Sequence, residues 1–364
     1  MSNDPDKYRL SEADHERLFQ QRVVPEVFGE TTPQARPTAI FLGGQPGAGK
    51  SQTLAAAIDD LRTKGGAAMI AGDDLRPLHP AYGQLMQTDD KNMAFFTQGD
   101  AGRWVHKALD YAAQHKINVV FETTMRTPAE VAPLLQKFKD AGFRVEARVL
   151  AVAPHLSEQG ILQRYADQVQ KDGHGRMVPP AIHDAALTGL LGSVEKIQNN
   201  RLADSVTVYR RGNEEVRSFD LTGNIPPGSL RISAAIQSER ERFPNQSERE
   251  RFLQSAVQLD QHAKGTNQLT GDVKDRIAAS LHTARQIEQA APFIDGPDKP
   301  NAPTERRISK EEAARQIAAL APLAMQQAMA RESATRFDAR DHSPAQAQDH
   351  AAAKAMLTLL QSNT

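Results

Sequence analysis

The stretch that decides the fold is Gly44-Gln45-Pro46-Gly47-Ala48-Gly49-Lys50-Ser51, residues 44–51 of 364. It matches the pattern G-x-x-x-x-G-K-[ST], in which glycines let the backbone wrap closely around a polyphosphate. The backbone N–H groups form an anion-binding nest at the start of a helix, whose dipole also favours negative charge. In this pattern Lys50 reaches the β- and γ-phosphates, and the Ser51 hydroxyl is a ligand of Mg²⁺. The stretch, extended to Gln52, therefore predicts a site for a nucleoside triphosphate with Mg²⁺.

The segments around this loop favour an α/β fold. Residues 38–42 before it are apolar and prone to form a strand, and residues 51–64 after it have the pattern of a helix. Further strands are predicted at 67–71, 117–121 and 145–152, helices at 9–28, 91–114, 127–141, 154–170 and 180–200, and a closing hairpin at 205–219. This alternation predicts a parallel sheet flanked by helices.

The composition of the chain changes after residue 222. The rest is rich in Ala, Gln, Arg and Glu and shows no further alternation of strands and helices, so we expect an all-α C-terminal extension. The expected parts are a P-loop domain over 1–222, a helical region over 223–290, a Pro-rich linker over 291–307 and a helical C-terminal region over 308–364. Because charges of both signs are interleaved there, a solvated helical appendage is favoured over a basic arm that binds nucleic acid.

The overall composition excludes several classes of partner and chemistry. The chain has 44 basic and 45 acidic residues and a formal net charge of −1, which gives no strong field for nucleic acid or a membrane surface. It has no cysteine, so disulfides and thiolate catalysis are excluded. No apolar run has the length of a secretory signal or a membrane span. We therefore expect a cytoplasmic protein, with signal-independent export as an open alternative.

A polar cluster follows the second predicted strand. It reads Gly72-Asp73-Asp74-Leu75-Arg76-Pro77-Leu78-His79-Pro80. Ligands of parallel sheets bind at the carboxyl ends of the strands, where a carboxylate can accept the proton of an attacking hydroxyl. Helix capping by Asp73 or Asp74 is the structural alternative. Because two acids, an arginine and a His-Pro turn coincide, we predict that Asp73 is a general base.

A second polar cluster follows the third predicted strand, in the same way. Glu122 is suited to hold Mg²⁺ through water or to bind a sugar hydroxyl, and Arg126 is suited to pair with a phosphate. Thr127 and Glu130 also fit a capping box for the next helix, and both interpretations can hold together.

Two later arginines are candidates for stabilising a transferring phosphoryl group. Arg176 lies in a Gly-rich, lid-like segment, and Arg164 lies on a helix before it. Kinases with a phosphate-binding loop need such cations to neutralise the charge of the transition state. The histidines have no spacing typical of metal ligands, and no zinc site is predicted.

Five motifs occur in an order that resembles one known family. They are the loop at 44–51, Asp73-x-x-Arg76-x-x-His79-Pro80, Glu122-x-Thr124-x-Arg126-Thr127, Arg164-Tyr165 and Arg176. Together they resemble the bacterial zeta toxin kinases over roughly residues 10–220.

The resemblance implies a P-loop kinase-like fold that uses ATP or GTP with Mg²⁺. It implies phosphorylation of the 3′-hydroxyl on the amino sugar of UDP-N-acetylglucosamine, which blocks cell-wall precursor synthesis. Catalytic roles are implied for Lys50, Asp73, Arg164 and Arg176. Contacts to the sugar nucleotide are implied for Asp73, Arg76, His79, Arg103, His106, Glu122, Thr124 and Arg126. An antitoxin or immunity protein is the expected protein partner.

Two departures from the family pattern lie on the acceptor side. His106 stands where the family usually has an acidic residue that contacts the substrate, and Thr123-Thr124-Met125-Arg126 replaces the expected Gly-Thr-Gly-Arg. Neither touches the groups that transfer the phosphoryl group, so the kinase prediction does not depend on the acceptor. A ribose hydroxyl of NAD or an antibiotic hydroxyl is the alternative acceptor. A nucleotide-gated, non-enzymatic effector that works through the helical C-terminal half is the alternative from another class.

Overall fold

Six strands form one sheet in this computed structural model, which describes Asp4, residues 6–223 and residues 229–295. The strands are β1 Thr38–Gly43, β2 Ala68–Ala71, β3 Val119–Thr123, β4 Arg144–Leu150, β5 Ser205–Arg210 and β6 Glu214–Asp220. Their order across the sheet is β2-β3-β1-β4-β5-β6. The first five are parallel, and β6 pairs with β5 in the antiparallel direction. The predicted α/β fold is confirmed, with the hairpin at its edge.

Helices flank the sheet in the predicted alternation. They are α1 Glu12–Leu18, α2 Val24–Phe28, α3 Ser51–Arg62, α4 Gly72–Leu75, α5 Tyr82–Thr88, α6 Asp90–His115, α7 Pro128–Asp140, α8 Pro154–Asp172, α9 Pro180–Asn200, α10 Ile232–Glu241, α11 Gln246–Gly265 and α12 Gly271–Asp295. A π-helical turn, Phe19–Val23, joins α1 to α2, and a 3₁₀ turn, Arg76–Leu78, follows α4. The sequence patterns missed α4 and α5 because each has less than two turns, too few for hydrophobic periodicity to register.

Strand β1 is buried on both faces of the sheet, which explains its continuous apolar sequence. On one face Phe41 lies in the main core with Trp104 of α6 and Phe138 of α7. On the other face Ile40 packs with Leu61 of α3. Because α3 follows β1 through the glycine-rich loop, that loop lies at the carboxyl end of β1, the edge at which parallel sheets bind ligands.

The chain divides into two compact units. The first contains the described residues up to Arg240 together with Thr266–Thr270, and the second contains Glu241–Gly265 and the described residues from Gly271 onward. Helix α10 belongs almost entirely to the first unit, and Ile236 of this helix is fully buried in the main core. In the second unit α11 and α12 pack against each other.

The all-α character of the C-terminal extension is confirmed from α10 to α12. Most of the predicted Pro-rich linker, 291–307, and all of the predicted helical region, 308–364, lie outside the described residues. The predicted boundary at residue 222 stays a prediction. Within the part of the chain that the structure describes, no helix combines the length and the apolar character needed to cross a bilayer.

Candidate active site

The glycine-rich loop joins β1 to α3 and approaches other backbone closely. Gly47 has a φ of 75°, in the left-handed region that favours glycine. A Cβ at this position would lie 1.9 Å from the backbone oxygen of Ser157 in α8, so no larger residue fits. The Ala48 N–H donates to Gln45 O at 3.1 Å, which closes the turn. Because α3 begins at Ser51, the positive end of the helix dipole adjoins the loop.

Lys50 directs its ammonium group back into the loop. Its Nζ donates to Gly44 O at 2.9 Å and to Gln45 O at 3.4 Å, and it lies 3.6 Å from Oε1 of Glu122. Burial lowers the pKa of Lys50, and the charge of Glu122 acts in the opposite direction. The side chain is 11% exposed, so its charge is little screened by water. Such an ammonium group fits the neutralisation of a bound polyphosphate.

Asp73 lies in the first turn of α4, directly after β2. Its carboxylate accepts hydrogen bonds from Arg76 and Arg176 and is half exposed. Burial acts to raise the pKa of Asp73, but the hydrogen bond and charge of Arg176, together with the charge of Arg76, bring it below the ordinary value. The pKa of Asp74 is instead raised, by burial and by the negative charges of Glu122 and Asp73. Of the two neighbouring acids, Asp73 is the one whose anionic form is stabilised by its surroundings, because its pKa is lowered and that of Asp74 is raised.

Two arginines from α8 and the loop after it reach the same region. The Arg176 N–H donates to Gln168 Oε1 at 2.9 Å, and its guanidinium group pairs with Asp73. The Nε and Nη2 atoms of Arg164 are buried without a hydrogen-bond partner. Burial lowers the pKa of Arg164, the charge of Arg176 lowers it further, and Asp73 and Glu122 act to raise it. Because a buried donor without an acceptor is costly, Arg164 fits an anionic ligand at this place.

The oxygen atoms near the glycine-rich loop suit a metal ion that binds together with the nucleotide. Among the described residues, no three or more His, Asp or Glu side chains are grouped to hold a metal ion. Mg²⁺ keeps several waters and is commonly held by one or two protein oxygens together with substrate phosphates. Ser51, the first residue of α3, presents a hydroxyl at the loop and fits the predicted metal contact.

The segment after β3 carries the predicted contacts to the acceptor. β3 ends beside β1 and brings Glu122 to Lys50. Thr124 is partly buried, and Arg126 is exposed. Thr127 is the N-cap residue of α7, as predicted, but its side chain makes no capping hydrogen bond, so the bond that Thr127 would contribute to a capping box is not formed.

Met125 adopts the left-handed backbone region, with a φ of 49°, at the position where the family pattern expects glycine. Its side chain is fully buried. It fits there because residue 43 is glycine, since a Cβ on Gly43 would lie 2.4 Å from Met125 Sδ. The Met125 carbonyl oxygen accepts a hydrogen bond from Ser193 Oγ at 2.7 Å. Met125, the residue that departs from the family pattern, is therefore a packed part of the segment after β3.

His79 and Arg103 belong to a buried cluster around Asp100, a residue that the sequence analysis missed. The Asp100 carboxylate is 2% exposed and accepts from Arg103 Nη2 at 2.8 Å and from the Leu10 N–H at 3.0 Å. His79 Nδ1 accepts from the Ala81 N–H at 3.2 Å, so the ring proton lies on Nε2, which is 3.2 Å from Asp100. With both ring nitrogens engaged and the imidazole buried, His79 holds the chain after α4 in place. The substrate contact expected for it stays a prediction.

The structure thus brings some of the predicted residues together and separates others. Those that meet around the loop are Lys50, Asp73, Arg76, Glu122, Arg164 and Arg176. Arg103 is tied to Asp100 and to Glu12 of α1, and His106 is exposed on α6. No sequence signal marked Asp100, because a single acid in the middle of a helix is ordinarily a surface residue.

A further contact to the loop comes from the hairpin between β5 and β6. Arg211, at its turn, donates to Gly47 O and to Leu156 O, the latter at 2.8 Å. Burial lowers the pKa of Arg211. Sequence reasoning had no means to find this arginine, because it is distant from the loop along the chain.

Comparison with known proteins identifies relatives of this chain. Residues 25–219 match the model of the zeta toxin family. The chain is 29% identical over 177 residues to toxin PezT of Streptococcus pneumoniae, an alignment that covers 48% of this chain and 69% of that protein. It is 28% identical over 195 residues to toxin zeta of Enterococcus hirae, covering 52% of this chain and 66% of that protein.

The fold also has a solved counterpart. A chain from the PezAT chromosomal toxin–antitoxin system of the human pathogen Streptococcus pneumoniae superposes with a TM-score of 0.60. The match covers 70% of this chain and 98% of that chain at 23% sequence identity. It supports the P-loop kinase-like architecture.

Proposed function

Since the chain belongs to the zeta toxin family, a family of kinase-like toxins, we propose that it transfers the γ-phosphoryl group of ATP to a hydroxyl of a small molecule. The observation that carries this proposal is the Asp73 carboxylate, paired with two arginines at the carboxyl end of β2. β2 lies beside β3, whose Glu122 approaches Lys50 of the loop. A module that only binds nucleotide has no need of an ionised acid at this edge.

Donor binding falls to the glycine-rich loop in this proposal. The turned backbone N–H groups of the loop and the start of α3 hold the phosphates, and Lys50 neutralises their charge. Ser51 would hold Mg²⁺, which would offset the negative charge of the phosphates when bound. GTP satisfies the same contacts, because they are made to phosphates and not to the base.

Asp73 acts as the general base of the transfer. It accepts the proton of the acceptor hydroxyl as that oxygen forms its bond to the γ-phosphorus, and the bond from phosphorus to the leaving oxygen of ADP breaks. Arg164 and Arg176 stabilise the charge spread over the transferring group. The lowered pKa of Asp73 keeps this acid ionised at neutral pH, before the hydroxyl arrives.

The proposed acceptor is the 3′-hydroxyl on the amino sugar of UDP-N-acetylglucosamine. Glu122, Thr124 and Arg126 from the loop after β3, with Arg76 and His106, would contact it. Arg103 and His79, for which the family resemblance also implies contacts to the sugar nucleotide, are both bonded to the buried Asp100. Because Met125 and His106 both depart from the family pattern on the acceptor side, a ribose hydroxyl of NAD or an antibiotic hydroxyl is the second candidate.

The test is a mass-spectrometric assay for phosphorylated UDP-N-acetylglucosamine, after incubation with ATP and Mg²⁺. Asp73→Asn should lower the rate by about 10²–10⁴-fold while nucleotide still binds. Asp74→Asn is the matched control, since it changes the adjacent acid that pairs with neither arginine, and it should retain most of the rate. Phosphorylation of another metabolite would contradict the proposed acceptor but support the proposed kinase activity. Equal activity of wild type and Asp73→Asn on every acceptor would refute the proposed base.

A protein antitoxin in the same cytoplasm is part of this proposal. It is supported by the PezAT toxin–antitoxin system, in which a chain of similar fold occurs. Expression of the wild type alone should arrest growth, whereas expression of Asp73→Asn should not. A growth arrest that persists with Asp73→Asn would point instead to an effector that does not need phosphoryl transfer.

A further inference from the structure

The side chain of Gln45, the second residue of the loop, is fully buried. Its Nε2 donates to Val152 O at 2.7 Å and to Ser157 Oγ at 3.2 Å, so both N–H groups of the amide are used. Ser157 Oγ in turn lies 2.8 Å from Nε2 of His183 in α9. Among the described residues, the amide oxygen of Gln45 accepts from one donor, Nη2 of Arg240 at 3.3 Å. The orientation of this loop residue is therefore fixed by Val152 after β4, by Ser157 of α8 and by Arg240.

Arg240 comes from α10, which follows the stretch matched by the zeta toxin family and is contributed by the C-terminal extension. One face of α10 packs into the main core through Ile232 and Ile236, both fully buried. Glu239, one residue before Arg240, pairs with Arg210 at the end of β5 through two bonds of 2.6 and 3.0 Å. This apolar and ionic anchoring fixes the last turn of α10, from which Arg240 reaches the loop.

The charge of Arg240 is buried without a carboxylate. Its Nη1 donates to Leu187 O at 2.9 Å, its Nη2 donates to Gln45, and its Nε is buried without a hydrogen-bond partner. Both acceptors are neutral, and among the described residues no ion pair is found for this guanidinium group. Burial lowers the pKa of Arg240 to about 10, so the group remains charged at neutral pH. A buried cation of this kind gains a counter-charge when a polyphosphate enters the adjoining loop.

We propose that Arg240 is a positioning residue of the phosphate-binding loop, through which the C-terminal extension raises the affinity for the nucleoside triphosphate. It acts in two ways. Its hydrogen bond satisfies the buried amide oxygen of Gln45 and so holds the loop in its binding shape. Its charge adds to the positive potential behind the loop. The inference rests on the proposed function only in that the loop binds nucleotide, and it does not depend on the acceptor.

The test is calorimetric titration of the full-length chain with Mg²⁺ and a non-hydrolysable ATP analogue. Arg240→Met removes the charge and both hydrogen bonds, and should weaken binding about tenfold. Arg240→Gln removes the charge but keeps an amide donor, and should weaken binding by about three- to tenfold. Arg240→Lys keeps the charge and should stay within about threefold of wild type. In turnover, the KM for ATP should rise in the first two variants, while kcat changes little.

Glu239→Gln is the matched control, because it breaks the pair with Arg210 on the same helical turn and leaves the contact to Gln45. It should lower the thermal midpoint but keep nucleotide affinity within about twofold. Equal weakening by Glu239→Gln and Arg240→Met would reduce Arg240 to a helix anchor and overturn the proposal. So would unchanged affinity in Arg240→Met or, where that variant does not fold, in Arg240→Gln. Absence of binding by the wild type would refute nucleotide binding itself. That outcome is distinct from the two above, which overturn only the role proposed for Arg240.

Discussion

The two halves of the candidate site follow the family pattern to different degrees. On the donor side every motif residue is present, and the loop is held by backbone contacts, with Lys50 bonded to Gly44 O. On the acceptor side Met125 takes a left-handed backbone where glycine is expected, and His106 replaces an acid. A phosphate-binding loop depends on its backbone geometry, and a short sequence pattern is enough to identify it. An acceptor site depends on individual side chains, which can change while the fold stays the same.

The largest expected effect tests the donor side alone. Lys50→Ala removes the buried ammonium group and should lower turnover by about 10³-fold or more, because the transition-state charge loses its nearest cation. Turnover of ATP with a coupled assay measures this loss. Lys64→Ala, an exposed lysine just after α3, is the control and should match wild type. Only a modest loss of turnover in Lys50→Ala would contradict the assignment of residues 44–51 as a phosphate-binding loop.

A pH profile tests the link between the two halves, which runs through Asp73. Because Arg176 lowers the pKa of Asp73, the rate should be kept as pH falls past the ordinary range of an aspartate and be lost only below it. Arg176→Met raises that pKa, so the acid limb of kcat/KM should move to higher pH. The rate at neutral pH should also fall by about 10- to 100-fold, because a cation is lost from the transferring group.

The control for this profile is Arg17→Met, which removes an exposed arginine of α1 that pairs with the surface acid Asp14. Its acid limb should coincide with that of wild type. An acid limb that stays in place in Arg176→Met would mean that a group other than Asp73 accepts the proton.

Local patterns predicted the sheet because its strands and turns are recorded by adjacent residues. β1 is an apolar run that ends in glycines, and β2 and β3 are each followed by polar residues at the site edge. The same patterns did not give the partners of Asp73 or the burial of His79, since those depend on Asp100 and Arg176, which lie far along the chain. The contact of Arg240 with the loop could not be predicted either, because this residue lies in a segment whose composition indicated only a solvated helix.

The packing of Gly43 against Met125 offers a test of the acceptor side through stability. Gly43→Ala places a Cβ within 2.4 Å of Met125 Sδ and should cost about 1–3 kcal/mol of unfolding free energy, as overpacking does. Met125→Gly should cost about 1–4 kcal/mol, because the cavity outweighs the relief of the left-handed backbone. The double variant should be less destabilised than the sum of the two, as measured by urea denaturation. Strict additivity would show that the two residues do not share their space.

The smallest expected effect is the most specific to the acceptor. His106→Glu restores the acid that the family pattern has at this exposed position of α6, and stability should change by less than about 0.5 kcal/mol. If UDP-N-acetylglucosamine is the acceptor, its KM should fall a few-fold and the KM for ATP should not move. His115→Glu, at the end of the same helix, controls for the added charge. A higher KM for the sugar nucleotide in His106→Glu alone would mean that the imidazole is matched to a different acceptor, and that the two halves of the site have diverged in function as well as in sequence.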